Sequence, residues 1–508
     1  MKNSGLGQWL AVASLPAIVC LFLVTAIMHF RFTPDTTFIY AQFAKNILHG
    51  NGISFNAGEQ TFGFTSPLWL LLMTMAGKAG LDLIFIAKAL DLAVAGIAVS
   101  IFYLLANEII RDQPLALLCT LVCSLNAWFI GWTGTGMETS LALLCVMSAL
   151  LLTLRNRYLW AVIVTSAGIL VRPELFFLLP LILMDVLINA TDYRQGLILS
   201  VRLVGVSMIV LVPWSVYACH TFGSILPDAV LSNVGFHFTV DRFFSITANV
   251  VRTIAISDGT ALLVLIGSAV FLLLRSRHQD DEEGFSPVQK FIIFRQSLVG
   301  LGWVVTIPVV YVIAGVGYTP GYLIVILPMI SVYAFWYLER SLTFSGRSRF
   351  RYTGILIITA LMMLQSQIVY RYHILPDIIE TETGRESAAI SIGRWLHDQT
   401  LSKDIIFGQD AGALAYYSDR KICDVSGDLP GTATSFVGQA DTFGKLIEAK
   451  LYKGFCNATY LVDRSDVKER WKNYPDLIPQ FTTTFYRTGV GDLTPGYYTV
   501  YKIVQPLR

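Results

Sequence analysis

Nine long apolar runs recur along this chain, and they rule out most of the folds open to a sequence of its length. A helix needs about 20 apolar residues to cross a bilayer, within a range of about 17 to 25. On that rule spans are predicted at 9–30, 83–107, 114–133, 137–154, 197–217, 291–315, 320–338 and 352–370, with a shorter one near 259–274. The 508 residues are 54% hydrophobic and only 14% charged, against about 25% charge in soluble domains. A polytopic membrane protein follows. A formal net charge of +2 without a long basic run gives no argument for nucleic acid.

The stretch from Tyr158 to Ile188 is too long for one comfortable span and holds Arg172-Pro173-Glu174 in its middle. Proline breaks helical hydrogen bonding, and a bare charged pair at the bilayer centre is costly. Two short helices meeting at a surface are therefore predicted, which with the nine runs gives eleven spans. Positive charge agrees. With the N terminus inside, the inner loops carry Arg111, Arg155 and Arg157, Arg194 and Arg202, Arg275, Arg277 and Lys290, then Arg340, Arg347, Arg349 and Arg351. A single span over 158–188 would turn that last cluster outward. The first run has no small-residue cleavage site before Asp35 and reads as an uncleaved helix.

Three sizeable segments then face outward: 31–82, 218–258 and the tail from about 371. The expected division is a transmembrane module over 1–375 and a C-terminal domain over 376–508. In the tail, a helix (GRESAAISIGRWLHDQ), strands DIIFG and KICDV around the helix AGALAYYS, and strand-like runs ATYLVD and YYTVYKI read as a small α/β domain. Cys20, Cys119, Cys123, Cys145 and Cys219 lie in or beside spans and read as small apolar side chains. Cys423 and Cys456 are the pair available for a disulfide outside the cytoplasm.

Polar candidates concentrate on the outer segments. From Thr36 to His49, Ile39, Phe43 and Ile47 recur at helical spacing with Gln42, Lys45, Asn46 and His49 on the other side, which predicts an interfacial helix ended by Gly50 and Gly52. Asp35 stands at its start, as an N-cap, as a reactive carboxylate, or as both. Glu59 and the TSPLW corner follow, with Trp69 read as an interface anchor or a binding platform. Glu138 closes the turn Gly134-Thr-Gly-Met, where a carboxylate is solvated loop or ligand. Arg172 at the helix break either pairs with Glu174 and anchors the hairpin or meets an anion. Lys88 and Asp91, three residues apart in one span, read as an internal ion pair or as the lining of a cavity. No zinc spacing, P-loop, dinucleotide fingerprint or serine-hydrolase elbow survives in context.

The ordered set DTTFIYAQFAKNILHGNGISFNAGE, GFTSPLW, TGMETSLALL, LVRPELFFLLPL and FGSILPDAV resembles the membrane glycosyltransferases of the GT-C superfamily. Within it, the set is most similar to bacterial members resembling the cell-wall arabinofuranosyltransferases, and the tail's IGRWLHDQT with GQDAGALAYYSDRKICDVSG fits their extracytoplasmic domain. The resemblance implies a mostly α, polytopic GT-C-like fold in the bacterial cytoplasmic (inner) membrane, with an outer α/β domain. It implies transfer of a sugar from a polyprenyl-phosphate donor to a glycan or protein acceptor on the outer face.

In that scheme Asp35 matches the catalytic acid of the first outer loop. Relatives often show a second acidic residue directly after it; here Thr36 stands there, and no essential metal or other cofactor is expected. Relatives also often carry an Arg-Tyr pair before the Leu-Pro run, where this chain reads Gly321-Tyr322 before Leu327-Pro328, so another cation must grip the phosphate. Displacement at the anomeric carbon needs a base for the acceptor hydroxyl and positive charge for the departing phosphate. Asp35 is the expected base, and a single displacement inverts the anomeric configuration. Arg172, Lys45 and His49 are the phosphate candidates, and Glu59, Glu138 and Trp69 the substrate-binding ones. A transporter or flippase of a lipid-linked sugar, with Asp35 as a cap or proton site, is the alternative, and a non-catalytic assembly subunit a third reading.

Overall fold

A computed structural model describes residues 5–28, 30, 32–227, 230, 240–278, 287–314, 320–344, 348–424, 442–454, 456–488 and 493–504. Helices stand at each predicted span: α1 (Gly5–Ile27), α4 (Leu83–Ile110), α5 (Gln113–Ser124) with α6 (Ala127–Trp132), α7 (Thr139–Leu154), α8 (Tyr158–Ile169), α9 (Leu178–Asn189), α10 (Tyr193–Phe222), α11 (Val240–His278), α12 (Pro287–Ala314), α13 (Leu327–Phe344) and α14 (Ser348–Val369). Between α1 and α4 lie α2 (Asp35–Leu48) and α3 (Pro67–Gly77). Among the described residues, five helical stretches are long and apolar enough to cross a membrane. Leu197, Ile198, Val201, Ile209, Val212 and Val216 of α10 all stay exposed, an uncovered apolar face that suits lipid rather than water. The protein is a polytopic membrane protein.

The Arg172-Pro-Glu174 break works as the sequence requires. A 3-10 turn, Pro173–Phe177, joins α8 to α9, and the helices run back along each other. Tyr158 at the start of α8 donates to Asp185 (2.8 Å), and Asn189 at the end of α9 donates to Tyr158 (3.0 Å). Arg295 of α12 reaches the same end and grips Asp185 through both carboxylate oxygens, at 2.9 and 3.0 Å. Arg155 pairs with Glu108 there as well, so this end of the bundle is the basic one and the Arg172 tip lies at the other.

Three expectations change. The run 114–133 is interrupted at Leu125-Asn126, where Asn126 caps α6. Lys88 and Asp91 serve separate backbone groups: Lys88 Nζ donates to the carbonyls of Phe30 and Phe32, whereas Asp91 accepts from Gly134 and Gly136. The helix predicted over 36–49 runs over 35–48, within one residue at each end, but protein covers its polar side. Gln42 and Asn46 are buried and donate to the carbonyls of Ser54 and Phe55 in the loop that follows. Of the outer segment 218–258, residues 228, 229 and 231–239 lie outside the described residues, and 240–258 is already α11.

The C-terminal portion is built directly on α14. The chain stays helical from Ser348 to Gln399, through π turns at Tyr370–Ile374 and Thr381–Glu386 around α15 (Leu375–Glu380) and into α16 (Ser387–Gln399). Its sheet has the order β2-β1-β3-β5-β4, from β1 (Ile405–Gly408), β2 (Lys421–Asp424), β3 (Tyr460–Ser465), β4 (Leu477–Thr488) and β5 (Leu493–Ile503). β1 pairs in parallel with β2 and β3, and the remaining pairings are antiparallel. Alternation sorts the strands. Ile406, Ile422, Val462 and Val500 join the core that also holds Phe38, Tyr40 and Phe43 of α2, while Phe407, Cys423, Leu461 and Tyr501 face the opposite core. β4 was not expected, because a register shift between Pro479 and Phe481 breaks its alternation. Cys423 and Cys456 form a disulfide.

Candidate functional site

The turn before α7 is pinned from three directions. Gly134 and Gly136 adopt φ of +80° and +83°, a region open to glycine at little cost. Their N–H groups donate to Asp91 Oδ2 at 2.8 and 3.2 Å, Trp69 Nε1 donates to the Gly136 carbonyl at 3.1 Å, and Thr37 Oγ1 donates to the Thr135 carbonyl at 3.0 Å. A Cβ at Gly136 would stand 2.8 Å from Thr37 Cγ2. So held, the turn delivers Glu138 into the interior, 5% exposed. Trp69 is a buried tie on this turn, neither an interface anchor nor an open platform.

Glu138 Oε2 has no hydrogen-bond partner among the described residues. Burial pushes its carboxyl up, Arg172 pulls it down, and Glu174 pushes it up further, with a net rise. Tyr40 of α2 lies close enough that burial and then the Glu138 charge raise its phenol, leaving it a proton donor. Tyr40 and Thr65 share a hydrogen bond of 3.4 Å.

Arg172 faces this group from the α8–α9 tip, 3% exposed. Its Nε and Nη2 lie 2.6 and 2.5 Å from Glu174 Oε1, and Tyr311 of α12 donates to the same oxygen at 2.8 Å. The guanidinium lies 4.8 Å from the Tyr322 ring, which stacks on Tyr311. Burial alone would lower this guanidinium; Glu174, Tyr311 and Glu138 outweigh that and keep it charged. The pairing of Arg172 with Glu174 is therefore real. The cation beside Tyr322 thus comes from the hairpin tip, next to the Gly321 that stands where relatives often carry an arginine.

Asp35 points elsewhere. It is the first residue of α2 and Pro34 is the cap, with no side-chain capping bond. Its carboxylate caps a different helix, α17 (Ala411–Ser418): Oδ2 accepts from Gly412 N at 3.0 Å and Oδ1 from Ala413 N at 2.8 Å. A Cβ on Gly412 would collide with the Asp35 carbonyl oxygen. Asp410, just before α17 at φ 55°, is held by Arg464 at 2.7 Å and by Tyr498, which fixes where α17 begins.

Other candidates belong to the same contact. Lys45 pairs with Asp419 at 2.6 Å, Glu59 pairs with Lys421, and Asn56 exchanges two hydrogen bonds of 3.0 Å with the Ile422 backbone. His49 is exposed at the far end of α2. Lys45 and His49 lie ten and fourteen residues along α2 from Asp35, about 15 and about 21 Å at helical rise. Thus Trp69, Glu138 and Arg172 converge, Asp35, Lys45 and Glu59 carry the C-terminal portion, and His49 joins neither group. Tyr40 and Tyr311 were not singled out from sequence; for Tyr311 the available signal was a tyrosine inside an apolar span, and for Tyr40 its place on the helix that follows Asp35. Among the described residues no three His, Cys, Asp or Glu side chains are grouped to hold a metal.

No protein-family model matches the chain, and no curated protein matches its sequence. Solved structures do. ArnT from Cupriavidus metallidurans bound to undecaprenyl phosphate superposes with a TM-score of 0.56 at 13% identity, covering 95% of this chain and 97% of that one. The same protein in the apo state gives 0.59 at 14%, covering 98% of both chains. The archaeal oligosaccharyltransferase AglB from Archaeoglobus fulgidus, in complex with an inhibitory peptide and a dolichol-phosphate, gives 0.58 at 13%, covering 98% of this chain and 75% of that one. The chain has the fold of these proteins, the GT-C architecture that its ordered motifs resemble.

Proposed function

We propose that this chain is a glycosyltransferase that moves a sugar from a polyprenyl-phosphate donor to a glycan or protein acceptor at the outer face of the bacterial cytoplasmic membrane. The observation that carries the reading is the buried Arg172, held charged beside Tyr322 and Tyr311 at the end of the bundle opposite the basic one. Its setting suits a phosphate that gains charge as the glycosidic bond breaks. Two neighbours of the same fold were solved with undecaprenyl phosphate and dolichol-phosphate. The disulfide supports placing 376–508 outside the cytoplasm, with 1–375 as the membrane module.

In the reaction the acceptor oxygen bonds to the anomeric carbon, the bond to the phosphate oxygen breaks with its electron pair, and the acceptor proton passes to a carboxylate. Donor phosphate replaces Glu174 in the grip of Arg172. Asp35 is the base in the state where α17 has moved off it, since two N–H donors occupy its oxygens in the docked arrangement. The unpartnered Oε2 of Glu138 favours a second assignment, with Glu138 as base and Asp35 as the clamp for the C-terminal portion. No metal takes part in either.

One experiment separates these. Purified protein is given a panel of polyprenyl-phosphate sugars, comparing wild type, Asp35→Asn and Glu138→Gln, with and without EDTA. Removing the base lowers transfer about 100-fold or more, in Asp35→Asn under the first assignment and in Glu138→Gln under the second. Inversion at the anomeric carbon is expected from either. Loss with EDTA overturns metal independence. No product from any donor overturns the transferase and leaves the flippase.

A further inference from the structure

The bundle buries another carboxylate far from the outer turn. Asp258 is 7% exposed and lies inside the apolar stretch Phe243–Leu272 of α11, where the helix breaks (φ −136°, ψ 28°). Gln365 of α14 repairs the break. Its Oε1 accepts from Thr260 N at 2.8 Å, and its Nε2 donates to the carbonyls of Ala255 and Ile256 at 3.1 and 2.8 Å. Asn126 Oδ1 is committed to capping α6, accepting from the N–H groups of Trp128 and Phe129. That leaves Asn126 Nδ2 to face Asp258, at 3.3 and 3.2 Å from its two oxygens.

A neutral amide at those distances does not balance a charge. Among the described residues no Lys, Arg or His forms an ion pair with Asp258. An unpaired carboxylate at membrane depth is costly and marks a site by default. Asp258 opens on a cavity shared with Asn126, Ser257, Ser331 and Ser366, with room for a water-sized occupant. Ser331, 3% exposed, lines this cavity and a second, adjoining one, and no side-chain hydrogen bond is seen for it among the described residues. Ser366 donates to the Leu125 carbonyl, and Ser257 to the Ile254 carbonyl at 3.3 Å and to Asp258 itself, so the lone pairs of both hydroxyl oxygens are left to accept or coordinate.

We propose that this cavity binds one monovalent metal cation of sodium or potassium size, ligated by the Asp258 carboxylate with the hydroxyl oxygens of Ser257, Ser331 and Ser366. Oxygen ligands suit a hard cation, and one carboxylate neutralises a single positive charge, so a divalent ion is disfavoured. The site is independent of the transfer chemistry and ties α11 to α5, α13 and α14.

The test uses the full-length protein in detergent at pH 8 and constant ionic strength. Thermal unfolding is followed in sodium, potassium and choline chloride, with retention of radioactive sodium measured on the wild type. Binding predicts a saturable rise in melting temperature with sodium or potassium that choline does not give. Asp258→Asn abolishes that dependence, and Ser331→Ala raises the concentration for half effect about tenfold. Should Asp258→Asn fail to fold, Ser331→Ala and the direct retention measurement decide. Equal melting in all three salts with no retained cation overturns the proposal and assigns the site a protonated carboxyl with water.

Discussion

Glu138 shows how far one side chain can depart from its sequence reading. A carboxylate in a glycine-rich turn looks solvated, yet three neighbours, Thr37, Trp69 and Asp91, pin that turn and drive Glu138 inward, beside Arg172 and Tyr40. The net effect raises its carboxyl above the ordinary value of about 4.3. A raised folded pKa means the folded state holds a proton the unfolded state has released. Its contribution to stability is full below the unfolded value and is lost as pH rises through the folded one. Glu138→Gln cannot titrate, so its melting temperature should gain on wild type as pH is raised from about 4.5. Parallel curves for the two proteins would show that Glu138 is not held away from its ordinary value.

At the scale of elements, the contact between α2 and α17 is the most consequential. A carboxylate placed at the N terminus of another helix satisfies N–H groups that no turn of that helix can reach, worth about 0.5 to 2 kcal/mol. Gly412 permits the approach, since any Cβ there meets the Asp35 backbone and carboxylate. Gly412→Ala should therefore loosen the C-terminal portion, seen as faster proteolysis or hydrogen exchange over 405–424. Gly454→Ala, at a position with open space around it, should change neither. The bounds of α2 were legible, because apolar spacing and two glycines act locally. What covers its polar face was not, because α17 lies more than 360 residues further along the chain.

For the molecule as a whole, one end of the bundle gathers Arg155, Asp185 and Arg295, and the other gathers Glu138, Arg172, Tyr311 and Tyr322. The C-terminal sheet stacks on the second end through a core it shares with α2. The disulfide closes a 33-residue separation across the far core of that sheet, which the chain-entropy account values at about 4 kcal/mol. Cys423→Ser or Cys456→Ser should lower the melting temperature of the C-terminal portion and remove its sensitivity to reducing agent. An unchanged melt in both variants would mean the two thiols do not pair in solution.

The sequence by itself determined the apolar helices, the hairpin at Arg172-Pro-Glu174, the helix 35–48 and most strands of the tail, because apolar periodicity and chain breakers act over a few residues. The tertiary structure decided which charges meet. Lys88 and Asp91 share a helix face yet serve different backbone groups, Lys45 pairs with Asp419, and Arg172 finds the ring of Tyr322. Such pairings follow from desolvation: a buried polar group must be satisfied by whatever the returning chain brings within reach, and that depends on the packing of distant segments rather than on spacing along any one of them.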